Sequence, residues 1–342
     1  MKLLVYPHQL VIGGSQINAI ELAATVRDRG HEVTIVAPRG VLVPMIEDLG
    51  LRYIPTWATG RYASPRTALQ LIDIVRRFDI DLVHGYEWRP AVEAAFGPHL
   101  VSRTPLLITV LLMSVPSFLP SHVPMVVGTR ELVADEGADQ VHLVEPPIDT
   151  KANRSADPAG ARAKWGFRPE ETVISVVCRM TTELEKLQGV LAAADVMERL
   201  AQRWPGRVLA VGGGEGLEEL KQRAGAINSR LGHDAIVVAG QVLDPREAYD
   251  AADIVLGMGS SVLRGMSFAK PVAVQGMTGF WRLLDEASLD TFLDKGWFGH
   301  GGGGGIAVHG GLVSNCVVIG NYTLNGGGGI YLGRGGSTPR II

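Results

Sequence analysis

Residues 1–38 read MKLLVYPHQLVIGGSQINAIELAATVRDRGHEVTIVAP, and this stretch decides the fold. Residues 3–6 are a short apolar run, the length of a buried strand rather than a helix. The turn Gly13-Gly14-Ser15 follows, and residues 16–29 then carry Ile17, Ile20, Leu22 and Ala24 at helical spacing. Gly30 ends that helix, and residues 32–37 form the next strand. Strand, glycine loop, helix and strand make a βαβ unit, because parallel strands need a crossover of this length.

The pattern continues outward. Helices are expected at 43–49, 66–78 and 90–96, and strands at 82–84, 106–112 and 125–127. Residues 1–150 therefore form a parallel sheet with helices on both faces. Residues 145–160, with Pro146, Pro147 and Pro158 in a polar setting, read as a linker. A second α/β run then spans 160–298. Its strands are expected at 173–177, 208–211, 235–239, 254–256 and 272–274, and its helices at 189–204, 216–224, 246–252 and 261–268. The fold class is α/β: two Rossmann-like lobes with a cleft between them, followed by an atypical glycine-rich tail over 299–342.

The bulk composition agrees. A chain of 342 residues suits two domains. At 46% hydrophobic and 20% charged it can bury a large core, which excludes global disorder. Of its 43 glycines, 17 fall in the last 47 residues without a three-residue period, which excludes collagen. A net charge of −3 gives no nucleic-acid footprint. Cys178 and Cys316 are too few for a disulfide framework or a thiolate metal site, and fit a reducing cytosol. The amino terminus lacks the pattern of a signal peptide, and no apolar run has the length of a spanning helix. A cytoplasmic protein is expected, with peripheral contact at the inner face of the membrane left open.

Open α/β sheets bind ligands beyond the carboxyl ends of their strands. Gly13 and Gly14 lie there in the first lobe, where the helix amino end offers N–H groups to an anion. A plain tight turn is the alternative, since no G-x-G-x-x-G follows the strand. Gly212-Gly213-Gly214-Glu215-Gly216 repeats the arrangement in the second lobe, and Gly259-Ser260-Ser261 precedes another helix. Arg179 follows the first strand of that lobe and Lys186 lies seven residues on. Together they suit a diphosphate, or else form a solvated pair near Glu183 and Glu185. His84, beside Tyr86, Glu87 and Trp88, is read as the end of a strand, placed to orient a hydroxyl or act as a base, or simply packed at the lobe edge. His8 is a weaker candidate of the same kind. HExxH, Walker A and Gly-x-Ser-x-Gly motifs are absent from the sequence.

Four segments in order carry a resemblance: GGSQINAIELAATVRDRGHEVTIVAP from Gly13, VISVVCRMTTELEKLQGV from Val173, VLAVGGGEGLEELKQRA from Val208, and AADIVLGMGSSVLRGMSFAKPVAVQGMTGF from Ala251. Over about 280 residues the chain resembles the retaining two-lobe (GT-B) glycosyltransferases of the family 4 type, the superfamily that includes glycogen and sucrose synthases. The resemblance implies transfer of a sugar from a nucleoside-diphosphate sugar, with retention, to a small-molecule, lipid-linked or glycan acceptor. It implies that Gly13 and Gly14 face acceptor and donor phosphates, and that Arg179 and Lys186 grip the diphosphate. Gly213, Gly214, Glu215, Gln241 and Val242 would border the nucleotide, and Ser260 and Ser261 would approach the diphosphate. No metal or other cofactor is implied.

The chain also departs from that family. Leu256 and Arg264 stand where two glutamates eight residues apart are common, and Arg264 either meets phosphate or is an exposed helix residue. Thr109-Val110 runs into Leu111-Leu112 where a histidine is common. These departures keep open a non-catalytic nucleotide-sugar or carbohydrate-binding protein, and a sugar-nucleotide epimerase of the same architecture. In the tail, GGGGI recurs 24 residues apart at 302–306 and 326–330, like rungs of a parallel β-helix too few to bury a core. The family's C-terminal crossover helix is expected to be missing, with lobe closure and stability reduced.

Overall fold

A computed structural model describes residues 1–57, 62–136, 140–201 and 203–299. In the tail it describes only the backbone of four short strands. The chain divides into two compact units, Met1–Pro147 and Ile148–Ile342.

The first unit runs β1 (Lys2–Pro7), α1 (Gly14–Asp28), β2 (Glu32–Ala37), α2 (Val43–Asp48), β3 (Arg52–Pro55), α3 (Pro65–Phe78), β4 (Leu82–Tyr86), α4 (Trp88–Ala94), α5 (Leu100–Ser102), β5 (Leu106–Val110), β6 (Met125–Val127), α6 (Arg130–Glu136) and β7 (Val141–Leu143). Its seven strands are all parallel, in the order β3-β2-β1-β4-β5-β6-β7. Side chains alternate across a strand, so β1 sends Leu4 and Tyr6 into one core and Val5 into another. The first core takes Leu71 and Ile74 of α3 and Ala91 of α4, and the second takes Ala19 and Ile20 of α1 and Ile46 of α2. Helices thus cover both faces, which is why the central strands read as nearly continuous apolar runs. The chain builds outward from β1 to β3, then returns to lay β4 against the other side of β1. The reversal falls between β1 and β4, where such sheets open a crevice beyond their carboxyl ends.

The second unit runs α7 (Pro158–Lys164), β8 (Thr172–Val177), α8 (Lys186–Leu200), β9 (Gly206–Val211), α9 (Leu217–Leu231), β10 (Ile236–Gly240), α10 (Arg246–Ala251), β11 (Ile254–Gly257), α11 (Ser260–Ser267), β12 (Val272–Gln275), β13 (Trp281–Leu283) and α12 (Glu286–Lys295). The order is β10-β9-β8-β11-β12-β13, parallel except for β13. Here the reversal falls between β8 and β11. The entry into this unit is fixed by Asp250, whose carboxylate accepts from the Ser155 hydroxyl (2.5 Å) and the Ala156 and Asp157 amides (3.0 and 2.8 Å).

Three differences from the sequence expectations matter. First, β4 continues two residues past His84. Second, α8 begins at Lys186 rather than 189. Third, β3, α5, α6, β7, α7 and β13 are not anticipated, being three to seven residues long, with β3 and β7 half-exposed at the sheet edges and α7 beginning inside the expected linker.

The apolar end of the second unit is ordered through Trp297. Asp285 caps α12, accepting from the Ser288 amide at 2.8 Å while the Ser288 hydroxyl accepts from the Asp285 amide at 2.9 Å. That capping box aims Phe292 inward, where it is fully buried and stacked on Trp297 at 6.4 Å. Asp285→Ala is expected to lower the unfolding free energy by about 1 kcal/mol, read from urea denaturation.

Beyond residue 299 four strands are described: β14 (Gly305–Val308), β15 (Leu312–Val313), β16 (Gly329–Leu332) and β17 (Arg340–Ile341). β14 pairs in parallel with β16, Gly305 opposite Gly329, and β15 pairs with β17. The rest of the expected repeat, including residues 302–304, 326–328 and Cys316, lies outside the described residues. Among the described residues no helix is long and apolar enough to cross a membrane.

Candidate functional site

In the second unit the loops after β8, β9 and β11 gather the expected residues at the carboxyl ends of neighbouring strands. The backbone after β8 runs directly beneath the glycine loop after β9. The Met180 amide donates to the Gly213 carbonyl (2.9 Å), the Gly216 amide to the Met180 carbonyl (2.9 Å), and the Gly212 amide to the Gly240 carbonyl (2.8 Å). Gly212 has φ +143°, and a Cβ there would lie 1.7 Å from the Cys178 carbonyl oxygen. Only glycine admits that approach. Cys178 is half-buried, packed against the core of this unit, and desolvation pushes its thiol up to about 12, which disfavours the thiolate.

Arg179 and Lys186 are brought together here. The Arg179 guanidinium is paired with Glu183 at 2.6 Å. The Lys186 ammonium makes no hydrogen bond or ion pair among the described residues, although the backbone carbonyl of Lys186 accepts from the Gln275 amide at 3.4 Å. Burial holds its ammonium below the usual lysine range, the nearby Arg179 adds to this, and Glu183 opposes it. Lys186 is also the first residue of α8, at the positive end of a 15-residue helix. Leu184 and Glu185, at φ +55° and +54°, force the chain into that start. Buried Gln275 secures it, its amide donating to the Glu185 carbonyl at 2.9 Å. Two cations and a helix amino end therefore converge, where an anion would relieve all three.

The other expected donor residues fall into two groups. Gly213 and Gly214 line the loop, and Gln241 lies over Gly213 (2.7 Å from a Cβ built there). Ser260 opens α11 at the switch point. The remainder are engaged within the unit. Glu215 accepts from the Thr181 hydroxyl (2.5 Å) and the Thr182 amide (3.2 Å), which hold its carboxyl below the usual range. The Ser261 hydroxyl closes its own turn on Met258. Val242 packs beside the Phe167 cluster. Arg264 donates to the Asn153 side chain at 2.5 Å.

In the first unit Gly13 and Gly14 stand at the amino end of α1. Gly13 has φ −170°, extended backbone that any residue adopts, and only the flexible Gln16 side chain crowds it. Gln16 reaches back to within 3.2 Å of His8. The Ser15 hydroxyl is directed not outward but onto Glu87, at 2.7 Å.

His84 lies inside the sheet. It is buried, bonded to the Thr109 hydroxyl at 2.7 Å and packed on Tyr86 at 4.5 Å. Burial pushes its pKa down to about 4, so it stays neutral. The residue at the strand end is Glu87. It is buried, with φ +69° and ψ 173°, and its Oε1 accepts from Ser15 and from the Leu111 amide (3.3 Å). Burial pushes its pKa up to about 7 despite these bonds and the help of the Leu112 amide. Sequence reading passed over Glu87 because a strand ending at His84 gave the open edge to the histidine. Among the described residues no group of three or more His, Cys, Asp or Glu could hold a metal ion.

Comparison with known proteins bears on the fold. Residues 12–110 match the model of Glycosyltransferase Family 4. The chain is 36% identical over 104 residues to the D-inositol 3-phosphate glycosyltransferase of Mycobacteroides abscessus, a match covering 28% of this chain and 22% of that protein's length. In structure it is similar to a glycosyltransferase from Rickettsia africae (TM-score 0.62, 17% identity, 79% of this chain and 78% of that one). It is similar also to Anabaena Alr3699/HepE in complex with UDP and glucose (TM-score 0.62, 17% identity, 80% of each chain). The chain is thus related to Family 4 members, and its two α/β units are Rossmann-like lobes of the GT-B kind.

Proposed function

We propose that this chain is a glycosyltransferase that takes a sugar from a nucleoside-diphosphate sugar, the diphosphate lying at the open end of the second unit's sheet. Lys186 carries the reading. A partly desolvated ammonium beside Arg179, at the positive end of a helix, costs folding energy that a bound anion recovers. When the bond to the sugar breaks, negative charge grows on the leaving diphosphate. Fixed cations and backbone amides there stabilise the transition state more than the ground state. Arg179 supplies a planar fork and Lys186 a point charge, with the Gly213, Gly214 and Ser260 amides alongside. Glu215, Ser261 and Arg264 shape this pocket through their internal bonds and Val242 through its packing, and Gln241 borders it. The first unit receives the acceptor. Retention at the anomeric carbon rests on the resemblance to the retaining family.

A thermal-shift screen with UDP, GDP and ADP and their glucose, mannose and N-acetylglucosamine conjugates tests this. At a hundred times Kd the correct ligand adds about 2.7 kcal/mol of stability. A flat response across the panel at millimolar concentration would sink the proposal. A non-catalytic binder is the second reading, favoured by Leu256 and by Arg264 being engaged with Asn153 where carboxylates would stand. A ligand that stabilises the protein but yields no glycosylated or hydrolysed product selects it.

A further inference from the structure

The open end of the first unit's sheet is held together by one side chain. Ser15 follows β1, Glu87 follows β4 and Leu111 follows β5, so Glu87 sits at the reversal between β1 and β4 and bonds to the segments on both sides. We infer that Glu87 is the positioning residue for the acceptor: its ionised carboxylate fixes the amino end of α1 against the 111–114 segment, and a hydroxyl-bearing acceptor binds on the surface so formed. The acceptor part rests on the transferase reading above, whereas the tie between the two segments does not.

Three observations support this assignment. Glu87 is 2% exposed, yet its Oε2 accepts no hydrogen bond meeting normal geometry among the described residues. Its backbone lies at positive φ with extended ψ, a region otherwise left to glycine and found where function imposes strain. And its bonds run to the first turn of α1 and to the segment after β5, at the ligand end of the sheet rather than in the core. A carboxylate kept for stability alone would not be buried with one oxygen unserved.

The tie is proton-sensitive near neutrality, since burial pushes the carboxyl up to about 7. The titratable or charged groups on the surrounding elements are Tyr6 on β1 and His8 after it, Tyr86 and His84 on β4, and Arg89 and Glu93 on α4. Burial also raises Glu93, which accepts from the Tyr6 hydroxyl and is retained in Glu87→Gln, so a step lost in that variant belongs to Glu87. The first turn of α1 and residues 111–114 bring none. Tyr86 is itself held above the usual range by burial and by Glu87, and His84 stays neutral, so neither takes up the proton at pH 6–8. The folded-state value lies above the unfolded one. Protonated Glu87 therefore favours folding at low pH, and that advantage is lost as pH rises through about 7.

Glu87→Gln keeps the shape and removes the proton, and Ser15→Ala breaks one arm without touching the carboxyl. Hydrogen exchange of residues 13–16 and 111–114 is followed from pH 5.5 to 8.5 after correction for intrinsic rates, with unfolding midpoints at both ends. Wild type should show a protection step near pH 7, Glu87→Gln should lack the step and melt higher than wild type at pH 8.5 only, and Ser15→Ala should lose protection at 13–16. In the active enzyme, kcat/KM for the acceptor should fall about tenfold in Glu87→Gln at pH 8 and not at pH 5.5, with donor KM unchanged. Equal exchange in wild type and Glu87→Gln at every pH, or an equal activity loss at both pH values, overturns the assignment. If no acceptor is turned over, the exchange step still decides the tie, so failure of the transferase reading is distinguished from failure of this one.

Discussion

Lys186→Ala is expected to weaken binding of a nucleoside diphosphate by about a hundredfold and, in the same protein, to raise the unfolding midpoint without ligand. The two effects share a cause. The ammonium is partly buried beside Arg179 and at the positive end of α8, and none of its hydrogen bonds or ion pairs falls among the described residues. Its folded-state pKa is lowered, so in the ligand-free protein the charge disfavours folding. That penalty is present at neutral pH and fades as pH rises through the lowered value toward the unfolded one. Calorimetric titration with UDP, GDP and ADP, paired with melting curves at pH 7 and 9.5, reads both. Unchanged affinity would remove Lys186 from the site. A lowered midpoint would make it a structural residue.

Gly212→Ala is expected to destabilise the second unit by about 3 kcal/mol or more. The added Cβ would meet the Cys178 carbonyl oxygen at 1.7 Å, and that oxygen belongs to backbone just past β8, with no flexible end to give way. The φ of +143° adds strain of its own. Gly13→Ala provides the contrast. Its backbone is already extended and only a glutamine side chain needs to swing aside, so it should cost less than about 1 kcal/mol. Urea unfolding of the two variants compares them directly, and equal losses would contradict the close approach at Gly212.

The alternation of apolar runs and glycine turns made both sheets legible in the sequence, because burial on both faces leaves a strand little choice of residue. What escaped were elements set by partners distant in the chain. β3 and β13 are short strands whose pairing, rather than composition, defines them. The start of α8 is set by Gln275, about ninety residues away, and the earlier start is what puts Lys186 on the helix rather than in a loop. Two extra residues of β4 exchange the roles of His84 and Glu87: the histidine is drawn into the sheet and the carboxylate is left at its edge. Arg264 shows the opposite limit. Its type suits phosphate, but its partner is the side chain of Asn153, 111 residues earlier, which no local pattern announces.

The chain around Gln275 has a mechanical meaning. Glu185, next to Lys186, is gripped twice, by Gln275 at its carbonyl and by the Thr278 amide at its carboxylate (2.7 Å). Between those two grips, Gly276 bridges to Gly299 and the Met277 amide donates to the Gly299 carbonyl at 3.0 Å. Gly299 is the first residue of the glycine-rich tail. The first residue of the tail is therefore moored to the strap that anchors the Lys186 turn.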